Sequence, residues 1–538
     1  MDRLRVLLVG ALLLVGSTIA DAAGSELPRL VQENGKHALL VDGKPFLILG
    51  AQVNNSSNYP AVLDRVWPVV GALHANTLEI PVAWEQVEPV EGRFDFSWVD
   101  TLLAEARAHD VRLVLLWFGT WKNTNPQYSP EWVKSDTRRF PRETGPDGTT
   151  HFVLSAHGRQ TLEADRKAFA ALMRHVREVD PQHVVIMVQV ENETGSYGIP
   201  RDFSPAAQRL FEQRIPRELA AATGKSGTWS EAFGKTADQA FNAWYVARYV
   251  DEVAASGKAE LALPMYVNAS LTDPFTLEGV EKGASGGPNW NVIQIWKVAA
   301  PHVDVEAPDI YTSDHSKYAA YIRHYARSDN ALLIPETGND EPFARFLWLA
   351  LGNGAIGWSP FGMDDTGYTN FPLGAKELDA RTLDSFASKF GLLRPIARDW
   401  AKLAFEHPVA GFAKAKDDSD QSAVLGRWKI TAMYGLWPFG QREWPGTPAS
   451  PKRDLPVGGA AAIQLGPDEF LVAGSDVRLV FSLASAESGE SSQFLDVEEG
   501  TFENGRWKME RRWNGDQVDY GLNLVRPTLL KVRLGTYR

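Results

Sequence analysis

A chain of 538 residues with 44% hydrophobic content can hold more than one domain and bury large cores, and its bulk composition does not suggest disorder. The net charge of −12, with Lys and Arg scattered rather than gathered on a helix or arm, argues against a nucleic-acid partner. Cysteine is absent, which excludes disulfides, thiolate zinc sites and a thiol nucleophile.

The chain opens with MDRLRVLLVGALLLVGSTIADAAG. Arg3 and Arg5 precede an apolar run from Val6 to Ile19, and Ala20-Asp21-Ala22 is a cleavage pattern, so residues 1–23 read as a signal peptide. Export to the periplasm or the medium is expected. No later apolar run approaches the roughly 20 residues of a spanning helix, so no integral membrane segment is expected once the signal is removed.

From about residue 40, short β-branched runs alternate with amphipathic stretches. The strand-like runs are 45–52, 76–84, 111–119, 183–191, 263–270, 305–313, 331–338 and 354–362, and helical spacing recurs between them, as in 98–110 and 165–180. Eight strands alternating with helices predict a (β/α)8 barrel over residues 30–400, because eight parallel strands close a TIM barrel. The early β-α loops lack a phosphate-cradling glycine pattern. GASGG (283–287) reads as a flexible lid or turn. After about residue 405 the pattern becomes all-β, with strands joined by Gly, Asp and Asn turns. Residues 405–538 are therefore expected to form a β-rich, sandwich-like domain, interrupted by a Pro-rich insertion at 436–456.

Two glutamates mark the chemistry. The fourth strand runs into VQVENETGSYG, and the seventh ends in LLIPETG. Active sites of TIM barrels lie at the C-terminal strand ends, and strands four and seven face each other across the pore. Glu193 and Glu336 can thus converge on one bond, the arrangement that glycoside cleavage requires: one carboxylic acid protonates the leaving oxygen while the other attacks the anomeric carbon or activates water. For either alone, a solvated strand end or an ion pair would be the ordinary reading. Asn192, beside the acid, could hold a sugar 2-hydroxyl, and Glu191 is expected to point to the other side of the strand from Asn192 as a supporting residue.

VQVENETGSYG resembles the β-galactosidase motif of glycoside hydrolase family 35, and NTLEIPVAWEQVEPVEGRFDFS (76–97) is similar to a second segment of that family. The resemblance covers roughly residues 30–400 and implies a retaining glycosidase with Glu193 as acid/base, Glu336 as nucleophile and Asn192 as a sugar contact. Three positions depart from the family pattern. Pro81 stands where the family has a sugar-touching tyrosine, Asn125 falls about where it has a hydroxyl-binding glutamate, and Gly338 replaces an aromatic. LWFGTWKN on the third strand looks more like family 42 β-galactosidases.

Other strand-end residues have two readings each. Trp358 could be a stacking floor for a sugar or barrel core, and Trp84 and Trp121 could be mouth or core. Tyr311 could hydrogen-bond the nucleophile or simply pack. Asn268 and Asn123 could bind hydroxyls. Glu79, within strand two, reads as structural, and His74, His109 and His175 fall on helical stretches. No metal-ligand pattern appears, so neither a metal nor a cofactor is expected. The leading functional reading is an exported, retaining exo-β-galactosidase acting on terminal β-galactosyl residues of plant-type oligo- or polysaccharides. Alternatives are another β-glycosidase, of endo-glucanase or agarase type, and a non-catalytic carbohydrate-binding protein. The expected partner is a carbohydrate.

Overall fold

The computed structural model describes residues 26–277, 283–417, 419–434, 455–485 and 489–538. The signal-peptide reading and most of the Pro-rich insertion fall outside the described residues. All eight strand-like runs form the barrel. Its strands are β1 (Ile48–Gln52), β2 (Thr77–Ala83), β3 (Arg112–Lys122), β4 (Val185–Asn192), β5 (Met265–Ser270), β6 (Val305–Ile310), β7 (Leu333–Thr337) and β8 (Gly357–Pro360). They pair in parallel in chain order, and β8 closes on β1 through Gly357↔Ile48 and Trp358↔Leu49. The strands are buried on both faces because helices cover the outside, which is why they read as continuous apolar runs rather than alternating ones. Two of the covering helices, Ser97–Ala108 and Arg159–Val179, lie where helical spacing predicts them.

The N-terminal end of the barrel is plugged. Arg29–Glu33, Lys36–Val41 and Lys44–Phe46 form a small antiparallel sheet, and Leu39, Val41 and Phe46 join the interior cluster built by Ile48, Leu116, Ile186, Ala307 and Leu333. The small sheet thus covers the N-terminal end of the pore among the described residues.

GASGG does not form a lid. Ala284, Ser285 and Asn289 are buried, Ser285 exchanges backbone hydrogen bonds with Ser196, and Asn242 donates to the Ser285 carbonyl. A Cβ on Gly195 would lie 2.3 Å from the Ser285 carbonyl oxygen, and one on Gly287 would lie 2.7 Å from that of Thr194. The glycines permit close backbone packing behind the loop that follows β4.

Beyond the barrel, two antiparallel sheets share one core. A six-stranded sheet runs in the order 409–413, 459–466, 469–475, 528–537, 491–503, 506–512, and a four-stranded sheet in the order 421–425, 428–433, 477–483, 522–524. Phe412, Phe470 and Leu530 of the first meet Trp428, Phe481 and Leu522 of the second, as in a β-sandwich. Contact with the barrel is intimate. A Cβ on Gly352, at the end of the helix Phe346–Leu351, would stand 2.1 Å from Gly411 Cα, and Arg345 Nε donates to the Lys414 carbonyl at 2.7 Å.

Candidate active site

A cavity of about 430 Å³ opens at the C-terminal end of the barrel, and Glu193 and Glu336 both line it. A third carboxylate, Asp309 at the end of β6, joins them, and one carboxyl oxygen of each lies within 4.8 Å of the others. Asp309 pairs in register with Glu336 across β6 and β7. Glu193 approaches from the loop after β4.

The turn at the end of β4 explains which glutamate enters the cavity. Glu191 has φ 64° and Glu193 φ 43°, left-handed values that non-glycine residues adopt at a cost of order 1 kcal/mol or more. In a regular strand the two would share a face; these kinks send them to opposite sides. Glu193 turns into the mouth. Glu191 turns outward, fully buried, where it accepts from the Trp121 amide at 2.7 Å and lies against Asp165. Asp165 is itself held by Trp117 Nε1, Thr120 N and Thr120 Oγ1. Burial first, then the Asp165 charge, holds the Glu191 carboxyl well above the usual range. The supporting place expected for Glu191 is thus what the geometry shows, although the cause is the positive φ rather than strand alternation.

Glu336 is gripped by two donors, Gln52 Nε2 at 2.9 Å on one oxygen and the Tyr311 hydroxyl at 2.5 Å on the other. The two bonds fix the orientation of the carboxylate. Glu193 is perturbed by its surroundings. Burial, followed by the neighbouring Glu336 charge, pushes its carboxyl up to about 7, against the opposing pull of Lys122 and of a hydrogen bond with Asp309.

The remaining residues singled out from sequence divide into three groups. Tyr311 and Asn123 line the cavity. Asn268 and Asn192 stand behind it. Asn268 Oδ1 accepts from the Glu193 amide at 3.0 Å and its Nδ2 donates to Asp309 at 2.6 Å, so its amide positions carboxylates, where a hydroxyl contact was expected. Asn192 is fully buried, and neither polar atom of its amide has a partner among the described residues. The tryptophans are core. Trp358 is buried, donates to the Tyr318 hydroxyl and packs on Phe386 and Phe390. Trp121 donates to the Leu154 carbonyl and lies against Tyr249, and Trp84 donates to Glu88. The sugar-stacking reading of Trp358 and the mouth reading of Trp121 are therefore corrected: each indole is spent closing the barrel against its helices.

Sequence reasoning passed over Asp309, Lys122 and Tyr197, all of which line the cavity. The signals were present. Asp309 is an acid at the end of a buried strand two residues before Tyr311, and Lys122 ends an apolar run. The three departures also have physical accounts. Pro81 is buried in β2 away from the cavity. Asn125 donates to the Asn123 carbonyl and lines a separate shallow pocket. Gly338 has no room for an aromatic, since a Cβ there would lie 2.6 Å from the Phe343 ring.

Residues 69–255 match the model of glycoside hydrolase family 42, described as beta-galactosidase, and residues 386–525 match a domain of unknown function. The first match includes Glu193 and ends before Glu336. Stretches of the chain are similar to beta-galactosidase BgaA of a Thermus species (26% identity over 155 residues, 28% of this chain and 22% of that one) and to a beta-galactosidase of Xanthomonas manihotis (29% over 161 residues, 29% and 25%). A third relative is beta-galactosidase-1-like protein 3 of Homo sapiens (28% over 198 residues, 34% and 27%). The chain thus matches about a quarter of the length of these relatives. Among solved structures, the beta-galactosidase of the psychrophilic Marinomonas ef1 aligns over 67% of this chain and 62% of its own at 12% identity and a TM-score of 0.48. That of Bacillus circulans sp. alkalophilus aligns over 66% and 57% at 14% and 0.47. Over residues 69–255 the chain is thus similar to glycoside hydrolases of the family 42 type.

Proposed function

We propose that the protein is a retaining exo-β-glycosidase with β-galactosidase activity, in which Glu336 is the nucleophile and Glu193 the acid/base. The observation that carries this reading is the pair itself: two glutamates from opposed strand ends, with carboxyl oxygens within 4.8 Å, one gripped by two donors and the other pushed up to about 7. Retaining enzymes hold their carboxyls about 5–5.5 Å apart, and inverting ones leave roughly 6.5–9.5 Å for water. In the first step Glu336 attacks the anomeric carbon while Glu193 gives its proton to the leaving oxygen. In the second, Glu193 takes a proton from water, which displaces Glu336. Tyr311 and Gln52 hold the attacking carboxylate in line.

Galactose as the sugar rests on the family 42 match, on the named relatives and on the family 35 likeness at residues 76–97 and 188–198. Export rests on the pattern of residues 1–23, and a plant-type oligo- or polysaccharide substrate on export together with family habit. A panel of aryl β-galactoside, β-glucoside, β-fucoside and α-arabinoside should show the galactoside cleaved fastest; equal or faster cleavage of another sugar would reassign the specificity. Glu336→Ala should nearly abolish turnover and, with azide, form a glycosyl azide of inverted configuration. Glu193→Ala should spare substrates with activated leaving groups in the first step, and azide should rescue the second with retention. Azide products of the opposite configurations would exchange or remove the two roles.

A further inference from the structure

Three carboxylates in one buried mouth are one more than glycoside cleavage needs. Building on the proposed roles of Glu193 and Glu336, we infer that Asp309 is a positioning residue that stays protonated and donates a hydrogen bond to the Glu193 carboxyl, holding the acid/base in place and steadying its ionised form between the two steps.

Geometry carries this. Asp309 is buried at the end of β6, beside Glu336 in register, with a carboxyl oxygen within 4.8 Å of one of Glu193. Asn268 ties the two together, donating to Asp309 Oδ2 at 2.6 Å and accepting from the Glu193 amide at 3.0 Å. That donation occupies one oxygen of Asp309; the other, Oδ1, is buried without a partner among the described residues. A buried carboxylate oxygen left bare is costly, whereas a protonated one becomes a donor that can turn to the neighbouring acid/base. The charges agree. Asp309 faces Glu193 and Tyr197 from the β4 side, Lys122 from β3, Glu336 from β7, Tyr266 from β5, Tyr311 after β6, and Tyr325 from the helix His315–Tyr325. Lys122 is the cation in that set, against three carboxyls. Burial and then the Glu336 charge hold the Asp309 carboxyl well above the usual range, so when Glu193 gives its proton to the leaving group, the neutral neighbour steadies the new charge instead of repelling it.

The test replaces Asp309 in two ways. Asp309→Asn keeps a neutral donor of the same shape and an acceptor for Asn268. It should leave the alkaline limb of kcat/KM for a poor leaving group within about 0.3 pH unit of wild type, and in an infrared difference spectrum at neutral pH it should remove a protonated-carboxyl band. Asp309→Ala removes the donor and should move that limb up by about one to two pH units, the size of a hydrogen bond to a charged group. A downward shift of a pH unit or more in the Asn variant, or loss of an ionised-carboxylate band, would show Asp309 to be charged and overturn the inference. An unmoved limb in the Ala variant would reduce Asp309 to packing. Should the Ala variant not fold, the Asn variant and its spectrum decide alone. Glu193→Ala is the control for the underlying reading: if the alkaline limb survives there, the acid/base assignment fails, whereas the infrared result on Asp309 stands by itself.

Discussion

Glu79 offers a way to read the electrostatics of the barrel interior without assaying catalysis. Its side chain is 1% exposed, accepts from Ser359 Oγ, and leaves Oε2 without a partner among the described residues. Burial, partly opposed by the Ser359 bond and reinforced by the Glu336 charge, pushes it up to about 8 from an ordinary 4.5. The folded value is the higher one, so between these limits the folded protein holds a proton that the unfolded chain has released. Stability from this group is full below pH 4.5, falls as pH rises, and levels off above about 8. Each pH unit in that window is worth about 1.4 kcal/mol, which sets a ceiling near 5 kcal/mol; allowing for relaxation and water entry, about 2–4 kcal/mol is the reasonable expectation. Glu79→Gln is neutral at every pH and can still accept from Ser359. For a unit of roughly 360 residues, 1 kcal/mol moves Tm by a little over 1 °C, so the Tm of the variant minus that of wild type should climb by about 3–5 °C between pH 5 and pH 9. Acids remote from Glu79 are common to both proteins and cancel in the difference, while its coupling to Glu336 is part of the effect being read. Parallel curves would mean that Glu79 does not titrate in this window. A difference that falls with pH would mean that it is ionised in the fold, and the reasoning would be wrong.

Other expectations are more direct. Tyr311→Phe removes one of two donors to Glu336 and should lower kcat by roughly ten- to a hundredfold, the worth of a charge-assisted hydrogen bond, with Tm nearly unchanged. Glu191→Gln, neutral like the acid it replaces, should keep most activity; a loss as deep as that of Glu193→Ala in a folded variant would move the proton donor to Glu191. Gly119→Ala should destabilise by roughly 2 kcal/mol or more, because its Cβ would lie 2.4 Å from Trp117 Nε1 and 2.6 Å from Glu191 Oε1, and the deficit should appear in chemical denaturation. Since the chain has no cysteine, thermal midpoints with and without reductant should coincide.

The barrel was legible because buried parallel strands write themselves as β-branched runs and because eight of them have one way to close. That Glu193 and Glu336 meet in one cavity was legible for a related reason: both end apolar strands on facing sides of a closed barrel. What sequence could not supply was direction. Trp358 and Tyr311 both follow strand runs, yet one indole turns outward onto Phe386 while the phenol turns inward to Glu336. Positive φ values at Glu191 and Glu193 break the strand period, so the opposite sides these two glutamates take could not be read from alternation. GASGG read as a lid or a turn because glycine codes equally for freedom and for close packing, and the Gly195–Ser285 approach decides for a packed turn. Asp309 was overlooked because a third acid has no part in a two-carboxylate scheme until its neighbours are seen.

The seam between barrel and sandwich bears on how this chain can be taken apart. Gly352 and Gly411 meet backbone to backbone, a Cβ on Gly459 would lie 2.8 Å from Trp348 Cδ1, and Trp348 donates to Ser475. All of this falls on the helix that follows the strand bearing Glu336. Modules that are traded between enzymes meet their hosts through linkers and side chains that can be redrawn one at a time. Where glycine meets glycine there is no side chain to redraw, so this part of the join tolerates little change on either side. The β-sandwich is better regarded as an outer wall of the barrel than as an accessory, and the two are expected to be inherited, or grafted, as a pair.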